Sequence, residues 1–170
     1  MISLAKFDRF ISSLWNIYQK SLAEGYNQKI FLQILRVDYM CHQSGDSGKD
    51  EIKQVEINTM ASGMGYNAGR VSLLHRQVLK WSNYTNILPK LLANEPIQKI
   101  AQGFIEAWKM YNVREAIILF IVLDWEVNLS DQRRTEYEII SKETDIQIQR
   151  CTLKEMYQYG YVDENKVLYL

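Results

Sequence analysis

Thiol chemistry has little to work with in this chain. Cys41 and Cys151 are the two cysteines among 170 residues, too few for a disulfide framework. Neither stands at metal-ligand spacing from His42 or His75, so reduced structural thiols are the expectation. An excess of either charge is also missing. Twenty Lys and Arg balance twenty Asp and Glu, which leaves no electrostatic footprint of the kind a nucleic-acid backbone demands, and no nucleic acid is expected as a partner. Long apolar runs do not occur. The opening MISLAKFDRFISSLW carries an acidic residue and no extended apolar stretch, so neither a secretory signal nor a membrane span is expected, and the chain is read as cytoplasmic. Internal repeats and low-complexity tracts are absent.

What is present suits a soluble globule: 47% hydrophobic and 24% charged residues in one domain's worth of chain, long enough to bury a core. Phe7, Phe10, Ile11, Leu14, Ile17 and Tyr18 recur at helical spacing up to Gly25, predicting an amphipathic helix near 5–24. The run FLQILRVDYMC, 31–41, leans towards strand, with Arg36 and Asp38 on one face. A small-residue turn follows at 43–49 and separates it from a second strand near 51–58. Two further helical stripes come next. Val71, Leu74, Val78 and Trp81 predict a helix near 69–87, and Ile97, Ala101, Phe104, Trp108 and Tyr111 predict one near 97–111, with Pro96 at its start. Both stripes are read as core. Ala116–Leu123, AIILFIVL, is apolar, rich in β-branched residues and too short for a membrane span, which predicts a central strand covered on both faces. Ser130 is placed to cap a helix near 131–143, and 146–150 reads as another strand. The fold class is therefore α/β, a mixed sheet flanked by helices.

The stretch of most chemical interest is Glu51–Gly65, EIKQVEINTMASGMG. Side chains alternate along a strand, so Glu56 and Asn58 share a face, roughly 6–7 Å apart. A carboxylate and an amide oxygen on one face have the donor chemistry of a magnesium site, although such a pair at a strand end is also an ordinary solvated surface. The sequel, Ala61, Ser62, Gly63 and Gly65, lets backbone amides approach a ligand closely, or is simply a strand-to-helix connection. Beyond the apolar strand lie Asp124, Glu126, Asn128, Asp131 and Gln132, where ligands of α/β sheets sit; a solvated acidic loop is the alternative.

Together these residues resemble a known family. ILRVDYM (34–40), VEINTMASGMG (55–65), AGRVSLLHRQVL (68–79, with Arg70, His75 and Arg76) and the Asp131–Arg133 DQR element follow in the order found in eukaryotic-type glutathione synthetases. The resemblance implies a middle portion of an ATP-grasp fold, divided into a 1–111 segment bearing the metal and nucleotide strand 51–58 and a 112–170 substrate-binding subdomain. It implies ATP-dependent ligation of γ-glutamylcysteine to glycine through an acyl phosphate, in a homodimer. Arg36, Met60, Ala61, Ser62, Gly63, Glu126, Asn128 and Gln132 would then hold the dipeptide. Glu56 would bind Mg²⁺ and touch the nucleotide, with Asn58 as a second metal ligand. Two departures stand out: the loop hydroxyl sits at Ser62, between Ala61 and Gly63, and Tyr66 replaces the second glycine of the family's pair. The family's later lysines and glycine-rich lid have no counterpart, so the expectation is a fragment that does not turn over alone. The alternative is a non-catalytic dipeptide-binding or dimerisation module.

Overall fold

The computed structural model describes residues 4–25, 28–43, 45, 48–60 and 62–170. Backbone contacts divide the chain into two units, one joining the N-terminal stretch through Phe31 to Tyr161–Tyr169 and one spanning Leu32–Gly160 with Leu170.

In the first unit, a short 3-10 turn at Leu4–Lys6 leads into α1, Arg9–Glu24. Asp8 starts the helix by accepting the Ile11 N–H at 2.9 Å, satisfying an amide that has no partner inside the helix. Gly25, at φ 75°, ends it as the sequence suggests, in a conformation that a Cβ disfavours. The strands β5 (Tyr161–Val162) and β6 (Leu168–Tyr169) form a small antiparallel pair. Tyr161 and Tyr169 stack across it, with centroids 5.1 Å apart.

The second unit is the mixed α/β body. Its first element is an antiparallel hairpin of β1, Arg36–Gln43, and β2, Asp50–Asn58. Residues 31–35, expected as strand, are not: β1 begins at Arg36. The Ile34 carbonyl faces the Ser62 hydroxyl at 3.1 Å, so this backbone bonds to the loop after β2 and not to a ladder. Register slips between Asp38 and Tyr39, where Asp38 opposes Glu56 and Tyr39 opposes Gln54. Val55 is the extra residue of a β-bulge, a device that re-aims side chains near functional sites.

The helices are α2 (Gly65–Trp81), α3 (Pro96–Tyr111) and α4 (Leu129–Lys142), with a 3-10 turn at Thr85–Lys90. Pro96 occupies the first turn of α3, where its missing N–H costs nothing. The core is small: Ala101 and Ile105 of α3, Ile139 of α4 and Ile146, with Phe104, Trp108, Ile118 and Ile148 packed against them. Burying each isoleucine contributes about 1.5–3 kcal/mol. The α3 stripe is thus core at all but its last position, where Tyr111 is exposed. The α2 stripe is not. Val71, Leu74, Val78 and Trp81 are all exposed, because α2 turns its small-residue side to α3: a Cβ on Gly65 would meet Ile97 and Ile100 at 3.4 Å, and one on Gly69 the Asn94 carbonyl at 3.3 Å. Close approach of the backbone decides which face packs, and the apolar face points away.

A βαβ unit completes the body. β3 (Ile118–Val122) and β4 (Ile148–Thr152) are parallel neighbours joined by α4, and Trp108 of α3 donates its indole N–H to the Ala116 carbonyl at 2.7 Å. The expected central strand has β4 as its one partner among the described residues, and Ile121 and Leu123 are exposed. The mixed sheet is present as separate two-stranded pieces. α5 (Leu153–Tyr159) follows β4 directly, opened by a reciprocal Thr152–Glu155 capping box. No helix among the described residues is long and apolar enough to cross a membrane.

Candidate functional site

The end of the hairpin gathers four polar side chains on one face. Arg36 opposes Asn58 and Asp38 opposes Glu56 in the register, and directly opposed residues share a face. Arg36 forks onto Asp38, Nε to Oδ1 at 2.9 Å and Nη2 to Oδ2 at 3.2 Å, and reaches Glu56 Oε1 at 3.7 Å. Asn58 donates its amide to Glu56 Oε1 at 3.0 Å and to Asp38 Oδ2 at 3.4 Å. Bidentate guanidinium pairing favours the ionised carboxylate. The Arg36 hydrogen bond accordingly holds the Asp38 carboxyl below its usual value, and the Arg36 pKa is raised in return.

A carboxylate whose folded pKa is depressed contributes stability above its unfolded pKa, and that contribution disappears as pH falls through the folded value. Glu126 and Glu155 are shifted the same way, chiefly by the Asn128 and Thr152 backbone N–H groups respectively. Melting temperature is therefore expected to fall as pH drops below the ordinary carboxylate range, and Asp38→Asn should flatten that part of the profile. An unchanged profile in Asp38→Asn would assign the acid sensitivity elsewhere.

Does this face fit a hard cation? The donor chemistry does: the Glu56 carboxylate and the Asn58 amide are oxygen ligands, and Mg²⁺ needs only one or two protein groups beside water and phosphate. Asp38 is taken up by Arg36. Asn58 would have to turn its amide over, since its NH₂ faces the two carboxylates. Among the described residues no three His, Cys, Asp or Glu side chains converge on a metal position, so any remaining ligands would come from outside this set.

A cavity of about 480 Å³ opens beside the loop that follows β2. Leu32–Leu35 form one wall, Thr59, Met60, Ser62, Gly63 and Gly65 another; Ile97, Ile100, Phe104 and Phe120 supply apolar floor, and Asn128, Asp131, Gln132 and Thr135 complete it. An apolar lining with a few convergent polar groups is the usual character of a small-molecule site. Asp131 organises its mouth: the carboxylate accepts the Met64 N–H, the Tyr66 N–H at 2.6 Å and the Asn128 amide at 2.9 Å. Met64, just before α2, is left-handed at φ 77°, and Asp131 satisfies the amides around that turn.

Of the expected substrate residues, Met60, Ser62, Gly63, Asn128 and Gln132 line the cavity. Glu126 does not line it, but accepts the backbone N–H of Asn128, which does, at 2.9 Å. Arg36, Glu56 and Asn58 do not line it; they form the neighbouring cluster, joined to the loop where the Ser62 hydroxyl lies 2.9 Å from the Asn58 carbonyl. Ala61 lies outside the described residues. Ser130 does not cap α4: Asn128 is the N-cap, and its side chain accepts no backbone N–H of the helix. Residues that sequence reasoning passed over are Arg150 and Glu136. Arg150 Nη2 donates to Gln132 Oε1 at 2.6 Å and its Nη1 to Glu136, which also accepts from Arg133 at 2.8 Å. Glu136 on an otherwise mixed helix gave no signal, because its burial is a tertiary property.

Gly63 sits against this wall so tightly that a Cβ would stand 2.6 Å from Asn128 Nδ2 and 3.4 Å from Asp131 Oδ2. Gly63→Ala should displace the Asn128 amide from Asp131 and weaken any cavity ligand about tenfold, a hydrogen-bond-sized effect. Calorimetric titration of the two chains is the check; equal affinities would mean that Asn128 plays no part.

A family model described as eukaryotic glutathione synthase, ATP binding domain, matches residues 1–162. The glutathione synthetases of Rattus norvegicus and Homo sapiens are 36% and 34% identical over 168 residues, which is 99% of this chain and 35% of each relative. The chain thus spans about a third of the length of the curated relatives it matches. Among solved structures, a glutathione synthetase-like effector from Globodera pallida in its apo form superposes with TM-score 0.71 at 28% identity, covering 80% of this chain and 33% of that one.

Proposed function

The chain belongs to the eukaryotic glutathione synthase family, and from that premise we propose that it carries the dipeptide-binding and magnesium-binding part of an ATP-dependent ligase. The reaction is the joining of γ-glutamylcysteine to glycine: the dipeptide's terminal carboxylate takes the γ-phosphoryl group of ATP with release of ADP, and the glycine amine then displaces inorganic phosphate from the acyl phosphate. Such chemistry relies on positioning and charge stabilisation more than on a protein nucleophile. Hairpin strand 51–58 supplies the cation pair and segment 112–170 the amide-bearing wall. The working enzyme is a cytoplasmic homodimer.

The single observation that supports this reading most is the convergence of Met60, Ser62, Gly63, Asn128 and Gln132 on one cavity. These residues come from two segments far apart in the chain. Apolar floor suits the dipeptide's aliphatic parts, and amide groups suit its carboxylate and peptide oxygens. Arg36, at the adjoining strand end, is the guanidinium to meet an acidic ligand. Glu56 and Asn58 would hold the magnesium ion, whose contribution is to neutralise charge on a transferring phosphoryl group.

Two experiments test the proposal. Mn²⁺, a paramagnetic stand-in for magnesium, should broaden the resonances of Glu56 and Asn58 in the isolated chain and leave those of Asn58 sharp in Glu56→Ala; broadening that ignores the substitution would remove the metal role. The second is a titration with γ-glutamylcysteine, in which Arg36→Ala should weaken binding by about tenfold or more. Binding without turnover in the presence of ATP, magnesium and glycine is what the non-catalytic module reading expects.

A further inference from the structure

Three groups are linked by hydrogen bonds from the interior of the second unit to its cavity: Glu136, Arg150 and Gln132. Glu136 is 4% exposed and the Arg150 side chain 16%, so the ion pair between them is held largely away from water. Arg150 uses a second nitrogen, Nη2, to reach the side-chain amide of Gln132 at 2.6 Å. A guanidinium has five donors and no acceptor. The atom of Gln132 that faces it must therefore be the carbonyl oxygen, and the amide cannot turn over without placing N–H against N–H. With the carbonyl oxygen held by Arg150, the Gln132 amide nitrogen is left for the side of the cavity that Gln132 lines.

We propose that Arg150 is a positioning residue that fixes the orientation of the Gln132 amide, so that Gln132 offers the cavity an N–H donor and never its carbonyl. This rests on the dipeptide-site reading and adds a specificity to it. The amide nitrogen carries two hydrogens and no acceptor, so with the oxygen taken by Arg150 the group that Gln132 can present to the cavity it lines is an N–H. The ligand atom accepted there is an oxygen acceptor, a carboxylate or peptide carbonyl, and a ligand amine or amide N–H is rejected at that position. Arg150 touches no ligand. It acts through Gln132, and the buried Glu136 in turn fixes the plane of the guanidinium.

A conservative variant separates positioning from mere stability. Arg150→Lys keeps a cation for Glu136 but has a point charge in place of a fork, and cannot serve Glu136 and Gln132 in the same geometry. Dissociation constants for γ-glutamylcysteine are measured for the chain, for Arg150→Lys, for Gln132→Ala and for the double variant. Coupling between contacting residues predicts that Arg150→Lys weakens binding about tenfold when Gln132 is present and changes nothing further in Gln132→Ala. Equal weakening in both backgrounds means a general structural role and overturns the proposal. A second readout needs no ligand: the side-chain amide resonances of Gln132 in the free chain should shift and broaden in Arg150→Lys, while the backbone resonances of α3 hold. If γ-glutamylcysteine fails to bind even the unaltered chain, the proposed function falls, and the amide resonances still decide the orientation; resonances that stay put show that Arg150 does not set it.

Discussion

Arg150→Ala is expected to cost about 3–5 kcal/mol of folding stability, because it strands a buried carboxylate rather than because the ion pair itself is strong. Glu136 is 4% exposed on α4 and its other partner, Arg133, is 44% exposed, too solvated to replace a largely buried guanidinium. Removing one charge of a buried pair leaves the other with its desolvation uncompensated. The same reasoning predicts that Arg150→Met combined with Glu136→Leu recovers most of the loss, since neither charge remains to be buried. Urea unfolding of the three chains, at constant slope against denaturant, reads both effects. A loss in Arg150→Ala below about 1 kcal/mol would show that water or Arg133 already stabilises Glu136.

The second large effect is expected at Asp131. Its carboxylate accepts two backbone amides from the turn into α2 and the Asn128 side chain from the turn into α4. Hydrogen bonds to a charged acceptor contribute about 1.5–3 kcal/mol, and losing a helix cap costs about 1 kcal/mol, so Asp131→Ala should destabilise by about 2–4 kcal/mol. The local consequence is the more specific one. Without Asp131, Met64 has no partner to stabilise its left-handed backbone, and hydrogen exchange at Met64 and Tyr66 should rise well above that of α3. Exchange that rises equally everywhere would reduce Asp131 to a general contributor to stability.

Much of this architecture was legible in the residues, and the failures have identifiable causes. Gly25 and Pro96 marked helix ends through backbone geometry alone, which needs no tertiary context. The hairpin and the Glu56–Asn58 face followed from strand periodicity, and the bulge at Val55 did not disturb it, because Glu56 and Asn58 lie on the same side of the bulge. By contrast, the apolar stripe of α2 named the wrong face, since glycines at 65 and 69 let the backbone come closer to α3 than any side chain allows. The start of β1 was misplaced because Ile34 is bonded by a serine 28 residues away. α5 carries a capping box at Thr152 and Glu155, a signature present in the sequence but hidden behind a strand reading that ran up to it. As for the site, the resemblance supplied its residues and the strand period supplied the pairing of Glu56 with Asn58. The cavity itself, and the line of side chains behind Gln132, depend on which buried groups meet across α4 and β4, and no periodicity encodes that.

The most direct test of the account is a titration of isotopically labelled chain with γ-glutamylcysteine, followed by two-dimensional NMR. The account predicts saturable shifts confined to Arg36, Met60, Ser62, Gly63, Asn128 and Gln132, weakened in Arg36→Ala and in Gly63→Ala. Absence of saturable binding, or shifts clustered away from the cavity between the β2–α2 loop and α4, would contradict it.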